Sequence, residues 1–146
     1  MAEVAEQHQA SVLGVQQVAK EDTDKYGIVC ADDIAERVGK VSSIVEKPKP
    51  EDAPSTQAVV GRYILSHRIF DILETTGRGA GGEIQLTDAI AQLLTEETVV
   101  AYEFNGKRYD CGDKLGYLQA TVEYALKHPN LQHPFREYLK TYCTID

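Results

Sequence analysis

Ser43-Ile44-Val45-Glu46-Lys47-Pro48-Lys49-Pro50 reads as a strand that stops abruptly at a stiff loop. Ile44 and Val45 are β-branched and suit a pleated, buried position. Pro48 has no amide hydrogen for a ladder and biases Lys47 toward an extended backbone; Pro50 repeats the signal. An acidic and a basic side chain therefore stand together where a buried strand ends. In open α/β sheets, ligands bind at the carboxyl ends of strands. The pair supports two readings: a surface ion pair, or a wall for a polar, phosphorylated ligand. Successive strand side chains point to opposite faces, so the second reading needs the backbone to twist where the strand ends.

The chain around this stretch alternates strands and helices. Val12-Leu13-Gly14-Val15-Gln16-Gln17-Val18 and Tyr26-Gly27-Ile28-Val29-Cys30-Ala31 are apolar enough for core strands. Residues 38–45 lead into Glu46, and residues 58–65 form the strongest strand, interrupted by Gly61. A glycine inside a strand marks a bulge or a close approach by a ligand. Ser66 stands where a cap would open a short helix with Ile69, Phe70, Ile72 and Leu73 facing inward. After the Gly-rich residues 75–82, Leu86, Ile90, Leu93 and Leu94 share one helical face. Residues 99–104 and 107–111 read as a hairpin turning at Asn105-Gly106. Gly112-Asp113 opens a long helix with Leu115, Leu118, Val122, Ala125 and Leu126 as its apolar stripe, ended by Pro129. Pro134 starts a last helix that runs through Tyr142. The pattern is α/β. It contains no repeat or linker, so residues 1–146 read as a single domain.

Composition narrows the partners. The 146 residues carry 23 acidic and 15 basic side chains, a net charge of −8 without a basic cluster. This argues against nucleic-acid binding through phosphate contacts. A single well-placed lysine still serves a small phosphorylated molecule. Cys30, Cys111 and Cys143 are far apart and form no metal-binding spacing, as expected of reduced thiols. No apolar run is long enough to span a membrane, and the first residues lack the features of a signal peptide, which makes the cytoplasm the default location. Ala2-Glu3-Val4-Ala5-Glu6-Gln7-His8-Gln9 resembles the polar end of a helix that needs something to pack on.

Two other segments invite a chemical reading. Asp113 is either an N-cap or one carboxylate ligand of Mg2+, a hard cation that prefers oxygen and keeps several waters. Asp110 lies close to it in sequence. Thr76-Gly77-Arg78-Gly79-Ala80-Gly81-Gly82-Glu83 lacks the GK[ST] ending and the spacing of a phosphate loop and reads as a connector or lid. The four histidines are scattered and suit neither a metal site nor a triad.

Four strings occur in order: Val45-Glu46-Lys47-Pro48, Val59-Val60-Gly61-Arg62-Tyr63, Gly82-Glu83-Ile84-Gln85-Leu86-Thr87-Asp88, and Tyr109-Asp110-Cys111-Gly112-Asp113-Lys114-Leu115-Gly116-Tyr117. With Tyr26-Gly27 upstream, they resemble the bacterial UTP–glucose-1-phosphate uridylyltransferase family over about residues 12–128. The first string is shared with thymidylyltransferases, the alternative substrate class; the third and fourth look like the uridylyltransferase branch. The resemblance implies the Rossmann-like nucleotide-diphospho-sugar transferase fold, with the C-terminal portion of a mixed sheet and flanking helices. It implies transfer of UMP from UTP to glucose 1-phosphate, with Mg2+ as cofactor and UDP-glucose and pyrophosphate as products. By the same resemblance, Lys47 holds the sugar phosphate and Glu46 bonds glucose hydroxyls. Gly27 and Gly61 line the sugar site, and Asp113 is the second Mg2+-binding aspartate, so Lys47 and Asp113 are the expected catalytic pair.

The family's opening nucleotide loop, G-x-G-T-R-x-L-P-x-T-K, and its first metal-binding aspartate have no counterpart here. The resemblance thus corresponds to roughly the second half of the enzyme. The expected state is a sugar-phosphate half, inactive alone. One half of a split enzyme and a non-catalytic interaction module are the alternatives. Such a half exposes sheet edge and apolar surface and is expected to associate with itself. The aromatics of the last helices serve either a homo-oligomer contact or intramolecular packing.

Overall fold

The computed structural model describes residues 1–79 and 82–142. They fall into two compact units, Met1–Phe104 and Asn105–Asp146. The first holds α1 (Ala2–His8), β1 (Ser11–Gln17), a 3-10 helix (Lys20–Lys25), β2 (Gly27–Ala35), β3 (Val38–Glu46), β4 (Gln57–Ile64), α2 (Arg68–Thr75), α3 (Leu86–Leu93) and β5 (Val99–Glu103). The second holds α4 (Lys114–Lys127) and α5 (Gln132–Lys140).

The sheet is mixed and closes on itself in the order β1-β4-β2-β3-β5, with β5 returning to β1. Among the described residues, only the β1–β5 pair is parallel. Closure depends on strands that change partner along their length. The start of β3 pairs with β5 from Val38↔Tyr102 to Lys40↔Val100, while all of β3 pairs with β2 through two register shifts. Another shift lies between Leu13 and Val15 of β1, opposite Gly61 of β4. Gly61 has φ of 72°, and such a left-handed bulge residue favours glycine. The interior glycine of this strand therefore marks a bulge, one of the two meanings its sequence position allowed.

Apolar residues from the sheet and two helices form the main core. Leu13, Val15, Val29, Val41, Ile44, Val59, Val99 and Ala101 meet Ile69 and Ile72 of α2 and Ala89, Ile90 and Leu93 of α3. The face expected of α3 is the one buried. A smaller cluster of Val12, Val38 and Val100 is covered by Met1, Val4 and Ala5. The polar first helix thus has a packing partner within the unit. Strand alternation explains the division: Val12 and Val100 face α1, whereas Leu13, Val99 and Ala101 join the main core.

Several sequence expectations are corrected. No hairpin forms at Asn105-Gly106, and residues 107–110 are irregular. The reason is that β5 already pairs with β1 on one edge and β3 on the other. Phe70 is 68% exposed; Ile69 and Ile72 are the buried residues of α2, with Leu73 packed beside them, and Phe70 lies off that stripe. Ser66 does not cap α2, whose N-cap position is His67. Val45 is exposed while Ile44 is buried, as alternation demands. In α4, Leu115 and Leu118 are 62% and 58% exposed and Ala120 is the buried residue. α5 ends at Lys140, short of Tyr142. Ala80, Gly81 and Cys143, which entered the sequence readings, lie outside the described residues. Among the described residues, no helix is long and apolar enough to cross a membrane.

Leu93 is fully buried between α3 and the sheet. Leu93→Ala is expected to destabilise the protein by about 2–5 kcal/mol, through lost burial and the cavity left behind. The urea-unfolding midpoint, at unchanged slope, measures it.

Candidate functional site

The end of β3 carries the first candidate pair. Gly27, at the start of β2, is the ladder partner of Glu46, and the Lys47 amide extends the pairing by donating to the Tyr26 carbonyl at 2.9 Å. Lys47 is not extended, as the following proline led one to expect. It has φ of 45°, the left-handed region, which a side chain with a Cβ occupies at a cost of roughly 1–2 kcal/mol. The turn has a geometric result. Alternation alone would put the two side chains on opposite faces, yet Lys47 Nζ lies 3.5 Å from Glu46 Oε1. The lysine side chain is 55% exposed and the glutamate 14%. The backbone twist required by the ligand-wall reading is present.

Glu46 is fixed from the other side by α3. Thr87, only 6% exposed, donates its hydroxyl to Glu46 Oε2 at 2.9 Å. A Cβ added to Gly27 would come within 2.7 Å of Thr87 Cγ2 and 3.3 Å of Glu46 Oε2. The absence of a side chain at Gly27 therefore lets β2, β3 and α3 close around one carboxylate. Gly61 differs: nothing lies within 4 Å of its added Cβ, and its backbone angle is the constraint. Tyr63 also feels this group. Its phenol is held above its ordinary value, first by burial and then by the negative charge of Glu46.

The Gly-rich segment is braced where it is described. The Gly79 amide donates to the Glu83 carbonyl at 2.9 Å, and Arg78 Nη1 donates to the Gly82 carbonyl at 3.1 Å. A Cβ at Gly79 would run into Asp88 Oδ2.

In the second unit, Asp113 is the N-cap of α4. Its Oδ2 accepts from the Gly116 amide at 2.8 Å, the arrangement expected of a cap. Asp110 is occupied with its own turn: Oδ1 accepts from the Gly112 amide at 2.9 Å, and Oδ2 lies 3.8 Å from Arg108 Nη2. Gly116 is needed because a Cβ there would strike the Asp110 carbonyl oxygen. Tyr109 donates its hydroxyl to Glu123, which also pairs with Lys107. The hydrogen bond to Glu123 is the main reason the Tyr109 phenol is pushed up from 10.0 to about 12. Among the described residues, no group of three or more His, Cys, Asp or Glu forms a metal cage.

Residues 1–127 match the family model described as Nucleotidyl transferase. The chain belongs to the nucleotidyl transferase family. A UTP–glucose-1-phosphate uridylyltransferase of Staphylococcus epidermidis is 46% identical over 143 residues, which cover 96% of this chain and 49% of that protein. A UDP-glucose pyrophosphorylase crystallised with UDP-glucose superposes with a TM-score of 0.84 at 42% identity, covering 88% of this chain and 48% of the other. A UTP-bound enzyme described as a UGPase from Acinetobacter baumannii gives 0.83 at 41% identity, covering 95% and 48%. The chain spans about half the length of the curated relatives it matches.

Within this nucleotidyl transferase chain, the structure brings Glu46, Lys47 and Gly27 together. Gly61 lies in the same unit on β4, and Asp113 lies in the other unit. The ties of Thr87 and Tyr63 to Glu46 are not legible in the sequence, because they join residues far apart along the chain. The sequence signal for Thr87 was weak: a small hydroxyl residue in the first turn of an apolar helix.

Lys47→Gly should relieve the left-handed strain and stabilise the chain by about 0.5–1 kcal/mol, after the entropy cost of glycine is subtracted. Urea unfolding reads this; a loss of stability would show that the lysine conformation is not strained. Glu123→Gln should return Tyr109 toward its ordinary ionisation, observed by NMR titration of the tyrosine ring carbons. Because the folded pKa is raised, Tyr109 contributes stability below pH 10, and that contribution is lost as pH rises toward 12.

Proposed function

We propose that this chain supplies the sugar-phosphate side of a UTP–glucose-1-phosphate uridylyltransferase. The carrying observation is the strained Lys47 that puts an exposed ammonium 3.5 Å from the half-enclosed Glu46 carboxylate at a strand end. Such a pair meets both halves of a sugar phosphate. Lys47 neutralises the phosphate as a point charge. Glu46 accepts hydrogen bonds from ring hydroxyls. In the reaction, a phosphate oxygen of glucose 1-phosphate forms a bond to the α-phosphorus of UTP as the bond to pyrophosphate breaks. Lys47 then acts by holding the attacking phosphate in place, since positioning and charge stabilisation carry most of such transfers.

Mg2+ is the proposed cofactor and Asp113 its proposed ligand. The exposed carboxylate commits one oxygen to the helix cap, which is compatible with a cation held mainly by phosphates and water. When bound, the ion would offset charge on the phosphates. The cytoplasm is the proposed compartment, in line with the nucleotide substrate. The exposed apolar side chains of α4 and α5, Leu115, Tyr117, Leu118 and Tyr138 among them, favour self-association.

Calorimetry with glucose 1-phosphate tests the reading. The chain is expected to bind it, and Lys47→Ala to weaken binding by roughly 10–150-fold, the equivalent of about 1.5–3 kcal/mol for a charge-assisted contact. Absence of binding, or equal binding by Lys47→Ala, overturns the proposal.

A further inference from the structure

We propose that Thr87 is a positioning residue for Glu46 and thereby sets how the site holds the hydroxyls of a sugar phosphate. The inference rests on the sugar-phosphate reading above and extends it to a buried residue that acts through Glu46. The two oxygens of Glu46 have different surroundings. Oε2 takes the Thr87 hydroxyl at 2.9 Å, whereas Oε1 lies on the lysine side, 3.5 Å from Nζ. A hydroxyl has one proton to donate, and in Thr87 it is spent on the carboxylate.

Thr87 has little freedom to do otherwise. It is 6% exposed and sits in the first turn of α3, a helix anchored by the buried Ala89, Ile90 and Leu93. Its methyl group faces the bare Cα of Gly27, closely enough that a Cβ there would lie 2.7 Å away. The methyl and the hydroxyl are thus placed by two different strands, and swapping them would turn an apolar group toward a carboxylate.

With Oε2 engaged, Oε1 is the edge that Glu46 presents beside the Lys47 ammonium. One carboxylate oxygen next to a phosphate-binding cation defines a restricted acceptor, one that selects ring hydroxyls at a set distance from the phosphate. Without the Thr87 bond, the plane of the carboxylate is free to turn about its terminal torsion, and neither oxygen keeps a set direction beside the Lys47 ammonium. Preference for a sugar phosphate over bare phosphate then falls even while the phosphate contact persists.

Calorimetry on the full chain with two probes, glucose 1-phosphate and inorganic phosphate, separates these effects. Thr87→Val keeps the branched shape and removes the donor. It is expected to weaken glucose 1-phosphate binding by about tenfold or more, with inorganic phosphate unchanged, and Thr87→Ser is expected to restore parental affinity. Should valine impair folding beside Gly27, Thr87→Ala set against Thr87→Ser isolates the same hydroxyl. Parental glucose 1-phosphate affinity in the donor-free variants overturns the Thr87 assignment alone, as does an equal loss for both probes. Failure of the parent chain to bind glucose 1-phosphate overturns the sugar-phosphate reading and this inference together.

Discussion

The hydrogen bond between Thr87 and Glu46 joins α3 to the end of β3 at the point where β2 begins. The larger core on the same helix gives it a fixed frame. Ala89, Ile90 and Leu93 bury the inner face of α3 against the sheet, so the first turn of the helix is held at a set height over Gly27 and Glu46. Burial is the greater energy. A hydrogen bond to a charged acceptor contributes about 1.5–3 kcal/mol, as much as one buried aliphatic side chain, and this cluster contains many. The bond decides orientation rather than stability. It gives a carboxylate at a strand end one engaged oxygen and one oxygen beside a cation.

Lys47 shows how local strain serves that arrangement. A regular strand would carry it away from Glu46. The left-handed backbone brings it back, held by the hydrogen bond from the Lys47 amide to the Tyr26 carbonyl and by the buried Pro48 that follows. Strained residues of this kind persist only where their surroundings over-determine them, and they cluster at functional sites. The inference here runs from the observed angle to the proposed role. The ion pair itself is partly exposed and adds little to stability.

The second unit follows a different logic. Its motif around Asp110 and Asp113 is organised by backbone requirements: a side-chain turn onto Gly112, a cap onto Gly116, and a glycine where the helix meets the Asp110 carbonyl. Each explains a residue of the Tyr109-Asp110-Cys111-Gly112-Asp113-Lys114-Leu115-Gly116 string without calling on a ligand. The metal role proposed for Asp113 would be an addition to a structural one, since the cap engages one carboxylate oxygen.

The sequence by itself determined the nucleotidyl transferase family, the α/β class, the strand that ends at Glu46 and the buried face of α3, and it offered a cap at Asp113 as one of two readings. These are local properties: side-chain periodicity, proline and glycine punctuation, and short strings whose order is specific. Only the tertiary structure decided what depends on distant partners. The strong Asn105-Gly106 turn signal lost because both edges of β5 were already paired. Phe70, Leu115 and Leu118 remained exposed because burial depends on which neighbours exist, which an apolar pattern does not state. Gly27 is required by the methyl group of Thr87, sixty residues along the chain. Lys47 turned left-handed against the bias of the proline after it, because the ladder to Tyr26 and the burial of Pro48 outweigh a cost of roughly 1–2 kcal/mol. The two oxygens of Glu46 became different only when α3 folded over them.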